Sequence, residues 1–231
     1  MPPLRRHQLA IPADAGWQDI LARDWEPPVR AGLDHWARQR LPLVVTRQRV
    51  PRTSPAAPIA LGLCLPERWG RRLVSLQLRP DQLAMFAEFP TLAEVLPQLA
   101  PAARPALQQA AAALGARGLR ARVYGSLGWQ AVTGLRYVHP RSDLDLWLAV
   151  DSDSEADAAA ALLQRCAPAG LRIDGELVFT DGSATAWREW RAWRAGQCRS
   201  LLVKHLDGAS LQQRPARMQA EAAAAASVTA A

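Results

Sequence analysis

Two aspartates separated by one leucine stand inside an apolar run, DLDLWLAV at 143–150. Read as a strand, its side chains alternate between faces, so Asp143 and Asp145 project together while Leu144, Leu146 and Leu148 anchor the opposite face in the core. Two carboxylates held ~7 Å apart on one face repel each other unless a cation lies between them. Hard divalent ions such as Mg²⁺ take oxygen ligands and bind through one or two carboxylates plus substrate phosphates, so the pair points to metal-dependent phosphoryl or nucleotidyl transfer. A complementary part stands upstream in VYGSL. Gly125 at the end of a strand lets backbone approach a ligand closely, the helix that follows offers free N–H groups to an anion, and Ser126 adds a hydroxyl donor. A third acid is expected from a neighbouring strand. In LRIDGELVF, Asp174 and Glu176 share one face as residues i and i+2, and either completes a two-metal site in a bridging or base role.

Other polar residues carry weaker signals. Lys204 is the single lysine in an arginine-rich chain and stands at the end of a strand, where it suits either a phosphate oxygen or a rim salt bridge. Arg136 and Arg141 flank His139 in the loop before the aspartates. The arginines are placed to clamp phosphates or to serve as solvated charges, and His139 reads as loop exposure. The denser acidic run Asp151, Asp153, Glu155 and Asp157 reads as the solvated start of a helix. Trp187, Trp190 and Trp193 recur every third residue, which is the core stripe of an amphipathic helix.

The elements that must position these groups fall into two parts. In the first, residues 17–25 and 29–40 have helical apolar spacing, and 41–50, 59–65 and 72–78 read as strands. Residues 81–89 and 91–99 return to helical spacing. Nothing there has the spacing of a catalytic site. The three prolines of PQLAPAARP (97–105) mark a boundary, followed by an alanine-rich helix over 106–114. In the second part, strands are expected over 119–125, 143–150, 171–180 and 200–206. Helices are expected over 126–135, over 152–166 with Ser152 or Ser154 as cap, and over 183–196 opened by Ser183. The fold class is α+β: a small N-terminal α+β domain over 1–96, a linker and helix over 97–118, a mixed sheet flanked by helices over 119–214, and an alanine-rich tail over 215–231.

Composition bounds the rest. The chain has 231 residues, 49% hydrophobic and 21% charged, which excludes a mostly disordered or fibrous protein. Its net charge of +7 favours anionic partners. That charge is evenly spread with no basic tail or block, so nucleic acid is not an expected partner. Cys64, Cys166 and Cys198 make neither a disulfide framework nor a CxxC zinc pattern and are expected as buried small residues in a reducing compartment. The N-terminus lacks the apolar core of a signal peptide and no apolar run reaches the ~18 residues of a membrane span, so a cytoplasmic protein without a membrane partner is expected.

The order Gly-Ser, short helix, Asp-x-Asp strand and further acid-bearing strand resembles the DNA polymerase β-like nucleotidyltransferase superfamily, with an interval from Ser126 to Asp143 longer than in most members. Within it, YGSLGWQAVTGL together with RYV, SDLDL, IDGELVF, AWREW and LLVKH resembles the phosphoribosyl-dephospho-coenzyme A transferase of bacterial malonate decarboxylase systems, also called malonate decarboxylase holo-acyl-carrier-protein synthase. RHQL, PLVVTRQR, LGLCLP and GRRL resemble that family's N-terminal domain, so the resemblance spans roughly residues 4–206. It implies a donor, 2′-(5″-triphosphoribosyl)-3′-dephospho-CoA; an acceptor, a serine of the apo acyl-carrier subunit of malonate decarboxylase; and release of pyrophosphate. It also implies that Asp143 and Asp145 are the catalytic aspartates; the residue readings add Mg²⁺ on these two and on Asp174 or Glu176, and substrate binding by Gly125, Ser126, Arg136, Arg141 and Lys204. Arg188, Arg191 and Arg194 beside the tryptophan stripe are candidates to meet an acidic carrier protein. Two other classes remain open on the residues alone: a different nucleotidyltransferase that adenylylates a small molecule, a protein or RNA, and a catalytically inactive binding module that keeps the fold.

Overall fold

The computed structural model describes residues 3–48 and 54–213. The expected tail over 215–231 and the last two residues of the strand expected over 41–50 lie outside them. The chain begins with β1 (Leu9–Pro12), α1 (Asp14–Leu21), α2 (Pro27–Arg38), β2 (Leu43–Val45), β3 (Ile59–Cys64), β4 (Leu73–Leu78) and β5 (Leu83–Ala87). These strands form one antiparallel sheet in the order β4-β3-β2-β1-β5. Strict alternation in β4 buries Val74, Leu76 and Leu78 and exposes Leu73, Ser75 and Gln77, the signature of a sheet with one wet face. Trp17 and Ile20 of α1 and Leu33 and Trp36 of α2 share the core with them. Two prolines in the first turn of α2 cost nothing, because those N–H groups have no helical partner anyway.

Two expectations fail here. Residues 81–89 are not helical: a 3₁₀ turn over Pro80–Gln82 leads into β5, which pairs with β1 from Leu9↔Ala87 onward. Leu83 and Phe86 have helical spacing, but the edge of β1 offers four paired positions, interrupted by a bulge between Ile11 and Pro12, and tertiary pairing overrides the local pattern. β1 itself is too short to show in the sequence. Over 91–99 the helix shrinks to α3 (Leu92–Val95) before a 3₁₀ turn that carries Pro97.

The chain continues with α4 (Arg104–Gly115), β6 (Ala121–Tyr124), α5 (Gly125–Thr133), β7 (Leu144–Val150), α6 (Asp153–Arg165), β8 (Ile173–Phe179), β9 (Ala184–Ala186), α7 (Trp187–Arg194), β10 (Ser200–Lys204) and β11 (Ala209–Gln213). Two compact units result, and they do not follow chain order. The first comprises residues 3–48, 54–91, 122–142 and 206–208; the second comprises 92–121, 143–205 and 209–213.

In the second unit the strand order is β11-β10-β9-β8-β7. β7 and β8 are parallel and joined by α6, as a parallel pair needs a crossover; the other neighbours are antiparallel. Ser152 caps α6 by accepting the Glu155 N–H at 3.2 Å. The helix expected over 183–196 begins only at Trp187. Ala184–Ala186 forms β9 instead, bridging Glu176 of β8 on one side and Lys204 of β10 on the other, and Ser183 caps nothing. The tryptophan stripe of α7 is buried as expected, with Trp190 Nε1 donating to Asp157 at 2.8 Å. Asp157 is therefore not part of a solvated acidic run, because it also takes both arms of Arg194.

Parallel pairing of β7 with β8 depends on Gly175. Its φ is +131°, and a Cβ there would lie 1.9 Å from the Leu146 carbonyl oxygen. Only glycine fits both the conformation and the space. Gly175→Ala is expected to destabilise the protein by about 3 kcal/mol, with a lowered midpoint in urea denaturation; an unchanged midpoint would show that β8 does not need this close approach.

Candidate active site

The expected acids gather on one face of the second unit. Asp143 immediately precedes β7, Asp145 lies within it, and Asp174 and Glu176 lie in β8. The register pairs Asp145 with Asp174 and Trp147 with Glu176. Neighbours paired in a parallel ladder point the same way, so Asp145 and Asp174 stand side by side. The consequence is electrostatic. The Asp145 carboxyl is pushed up to about 6, first by burial and then by the charges of Asp174 and Asp143, against a partial counter-effect from Arg172.

The acids differ in how they are balanced. Glu176 is buried and faces the Lys204 ammonium at 2.8 Å. Lys204 therefore meets a carboxylate, the salt-bridge alternative of the two roles its position suggested. Asp174 accepts from Arg172 at 2.9 Å and from the Gly175 N–H at 2.9 Å, and the same guanidinium lies 3.6 Å from Asp143. One arginine thus serves three carboxylates. Arg172 escaped the sequence reading, although it stands two residues before Asp174 on the same strand-like spacing that singled out the acids. Gly175, which sets the register between the two acids of β8, escaped it too.

Gly125, Ser126, Arg136 and Arg141 belong to the first unit. Gly125 has φ +62° and turns the chain from β6 into α5. Ser126 and Arg136 line a cleft of about 210 Å³ together with His139. Arg141 is exposed, and its backbone N–H donates to His139 Nδ1 at 3.2 Å. The arginines of α7 are engaged within the chain: Arg188 donates to the Ile173 carbonyl and lies over Trp187, Arg191 donates to Gln164, and Arg194 clasps Asp157. Cys64, Cys166 and Cys198 are free thiols, each partly exposed where full burial was expected.

Among the described residues, no group of three or more His, Cys, Asp or Glu side chains is placed to hold one metal ion. The donor set still suits a hard cation of the Mg²⁺ kind. Asp143 and Asp145 share a face on which burial, then Asp174 and Asp143, raise the Asp145 carboxyl, and such ions complete their shells with water and phosphate oxygens. Among the described residues no helix is long and apolar enough to cross a membrane.

Comparison with known proteins matches this α+β chain to a transferase enzyme. The family model described as the phosphoribosyl-dephospho-CoA transferase MdcG N-terminal domain matches residues 5–89, and the model of the MdcG C-terminal domain matches residues 91–215. The chain belongs to the phosphoribosyl-dephospho-CoA transferase family. It is 37% identical over 223 residues to the phosphoribosyl-dephospho-CoA transferase of Xanthomonas euvesicatoria pv. vesicatoria, covering 95% of this chain and 99% of that one. It is 36% identical over 216 residues to the protein of that name from Bradyrhizobium diazoefficiens, covering 92% and 91%. No solved structure matches.

The crowding at Asp145 has a measurable cost. Its carboxyl holds a proton to about 6 in the folded chain against an ordinary value of 3.8, so between those values the folded state binds more protons than the unfolded one. Stability therefore falls as pH rises through that window, and the penalty is complete above it. Asp145→Asn removes the penalty. The variant is expected to be more stable than the parent by about 2 kcal/mol near neutral pH and to lose that advantage towards about pH 4, read from urea midpoints at the two conditions. A variant less stable at neutral pH would contradict the crowding.

Proposed function

We propose that this enzyme transfers 2′-(5″-phosphoribosyl)-3′-dephospho-CoA from its triphosphate precursor to a serine of the apo acyl-carrier subunit of malonate decarboxylase, releasing pyrophosphate, with Mg²⁺ as cofactor. The observation that carries this reading is the convergence of Asp143, Asp145 and Asp174 on adjacent strand positions with, among the described residues, Arg172 to balance them. The family match and the donor chemistry it names support it.

The reaction is an in-line displacement at the α-phosphorus. The serine oxygen bonds to that phosphorus, the bond to the bridging oxygen of the β-phosphate breaks, and the electron pair leaves with pyrophosphate. Asp143 and Asp145 would hold the metal, and Asp174 takes the proton of the serine hydroxyl. A bound Mg²⁺ supplies charge neutralisation at the phosphate oxygens and acidifies the attacking hydroxyl. Gly125, Ser126 and Arg136 bind phosphate oxygens through backbone N–H, hydroxyl and guanidinium donors, with Arg141 in the same loop. Glu176 and Lys204 neutralise each other and hold β8 against β10 rather than react. Most of the rate comes from positioning and charge neutralisation.

The net charge of +7 suits an acidic carrier protein. We place the reaction in the cytoplasm, where the three free thiols persist.

Mass spectrometry of apo carrier incubated with the enzyme, Mg²⁺ and a mixture of ATP and the triphosphoribosyl donor tests the reading. The carrier is expected to gain one phosphoribosyl-dephospho-CoA group with pyrophosphate release, and chelation by EDTA is expected to stop it. A carrier or other acceptor that gains adenylate would point to a different nucleotidyltransferase. Asp143→Ala and Asp145→Ala are each expected to lower transfer at least about a hundredfold with an unchanged circular-dichroism spectrum; near-normal turnover in either would remove the metal role from that residue.

A further inference from the structure

The cleft that holds Ser126 and Arg136 is not built from the C-terminal family domain alone. Its walls include Cys64, Pro66 and Arg71 from the hairpin between β3 and β4, within the span of the N-terminal family domain. All of these residues belong to the same compact unit. Tyr137 ties the two segments together: its hydroxyl donates to the Cys64 carbonyl at 2.6 Å, and its ring stacks on Trp129. Burial drives the Tyr137 hydroxyl well above its ordinary value, so it remains a neutral donor.

The lining is made of donors. Arg71 and Arg136 bring guanidinium groups and Ser126 a hydroxyl. His139 accepts the Arg141 N–H at Nδ1, which leaves the proton on Nε2, so the ring is also a donor on its other side. The one acid in the lining is Glu67, 82% exposed at its side chain and 3.9 Å from Arg71, too far for a strong pair. A cleft rich in donors selects an anion. Its 210 Å³ is smaller than the roughly 300–1,000 Å³ of pockets that take whole drug-sized ligands, a size that suits a phosphate chain. Arg71 also has φ +50°, a left-handed conformation that costs an arginine energy and that the hairpin holds in place beside Gly70.

We propose that Arg71 binds a phosphate chain of the donor substrate, which gives the N-terminal domain a direct part in donor recognition; this rests on the transferase reading above. Arg71 is a binding residue, so its loss is expected in KM and not in kcat. Arg71→Gly is the informative variant, because glycine removes the side chain and relaxes the left-handed backbone, so a loss of binding at an unchanged melting temperature comes from the missing guanidinium. Arg71→Lys keeps the charge without the fork.

Calorimetric titration of the full chain with inorganic tripolyphosphate and, separately, with dephospho-CoA tests the assignment. Arg71→Gly is expected to weaken one of these about tenfold or more, to raise the KM for the donor by a similar factor with kcat within about twofold, and to leave or raise the melting temperature. Arg71→Lys is expected to recover part of the loss. Loss on tripolyphosphate assigns Arg71 to the triphosphate end, and loss on dephospho-CoA assigns it to the internal diphosphate. Unchanged affinity for both probes together with an unchanged KM overturns the proposal. Asp143→Ala is the separate control for the reaction: it is expected to keep phosphate binding while losing transfer, so a failure of the chemistry and a failure of Arg71 give different results.

Discussion

The structure turns on the pairing of two parallel strands. β7 and β8 meet in a register that sets Asp145 directly beside Asp174, and that register exists because residue 175 has no side chain to strike the Leu146 carbonyl. The apolar residues on the opposite face, Leu144, Leu146 and Leu148 against Ile173 and Leu177, are all buried and hold the acids where they repel. Core burial at about 1.5–3 kcal/mol per large side chain easily outweighs the electrostatic cost at Asp145, so the fold can carry a site that is unfavourable taken alone. A protein selected only for stability would not keep three carboxylates there.

Ion pairing then sorts the acids by role. Glu176, the most deeply buried, is matched by the one lysine of the chain and becomes part of the frame. Removal of Lys204 would leave the buried Glu176 carboxylate without this ammonium, which is far more costly than the pair itself. Asp143, Asp145 and Asp174 share a single, largely exposed guanidinium from Arg172. That surplus of negative charge at a partly open surface is what a hard cation with phosphate oxygens on its far side would neutralise.

Much of this was legible in the sequence because it follows short periods. The alternation in DLDLWLAV fixed which faces of β7 are acidic and apolar, and the tryptophans at 187, 190 and 193 gave the buried face of α7. Elements that exist only through tertiary pairing were not legible. β1, β9 and β11 are three to five residues long and carry no pattern of their own, and β5 imitates helical spacing. The choice between Asp174 and Glu176 was also beyond the sequence, because both obey the same i, i+2 rule. What separates them is the arrival of Lys204 from β10 through β9, a contact 28 residues away in the chain. The part of the hairpin at Arg71 was hidden for a similar reason: the Ser126 and Arg136 that share its cleft lie more than 50 positions downstream.

The proposed divalent cation answers a shared deficit of positive charge at Asp143, Asp145 and Asp174. Calorimetric titration of Mg²⁺ near pH 6, in two buffers of different ionisation enthalpy, is the decisive measurement, because the ion must displace the proton that burial and the neighbouring carboxylates keep on Asp145. Binding is expected with a fractional proton released per ion, and it is expected to weaken as the pH is lowered. Binding without proton release, or no heat of binding at any pH, would contradict the proposed cation site.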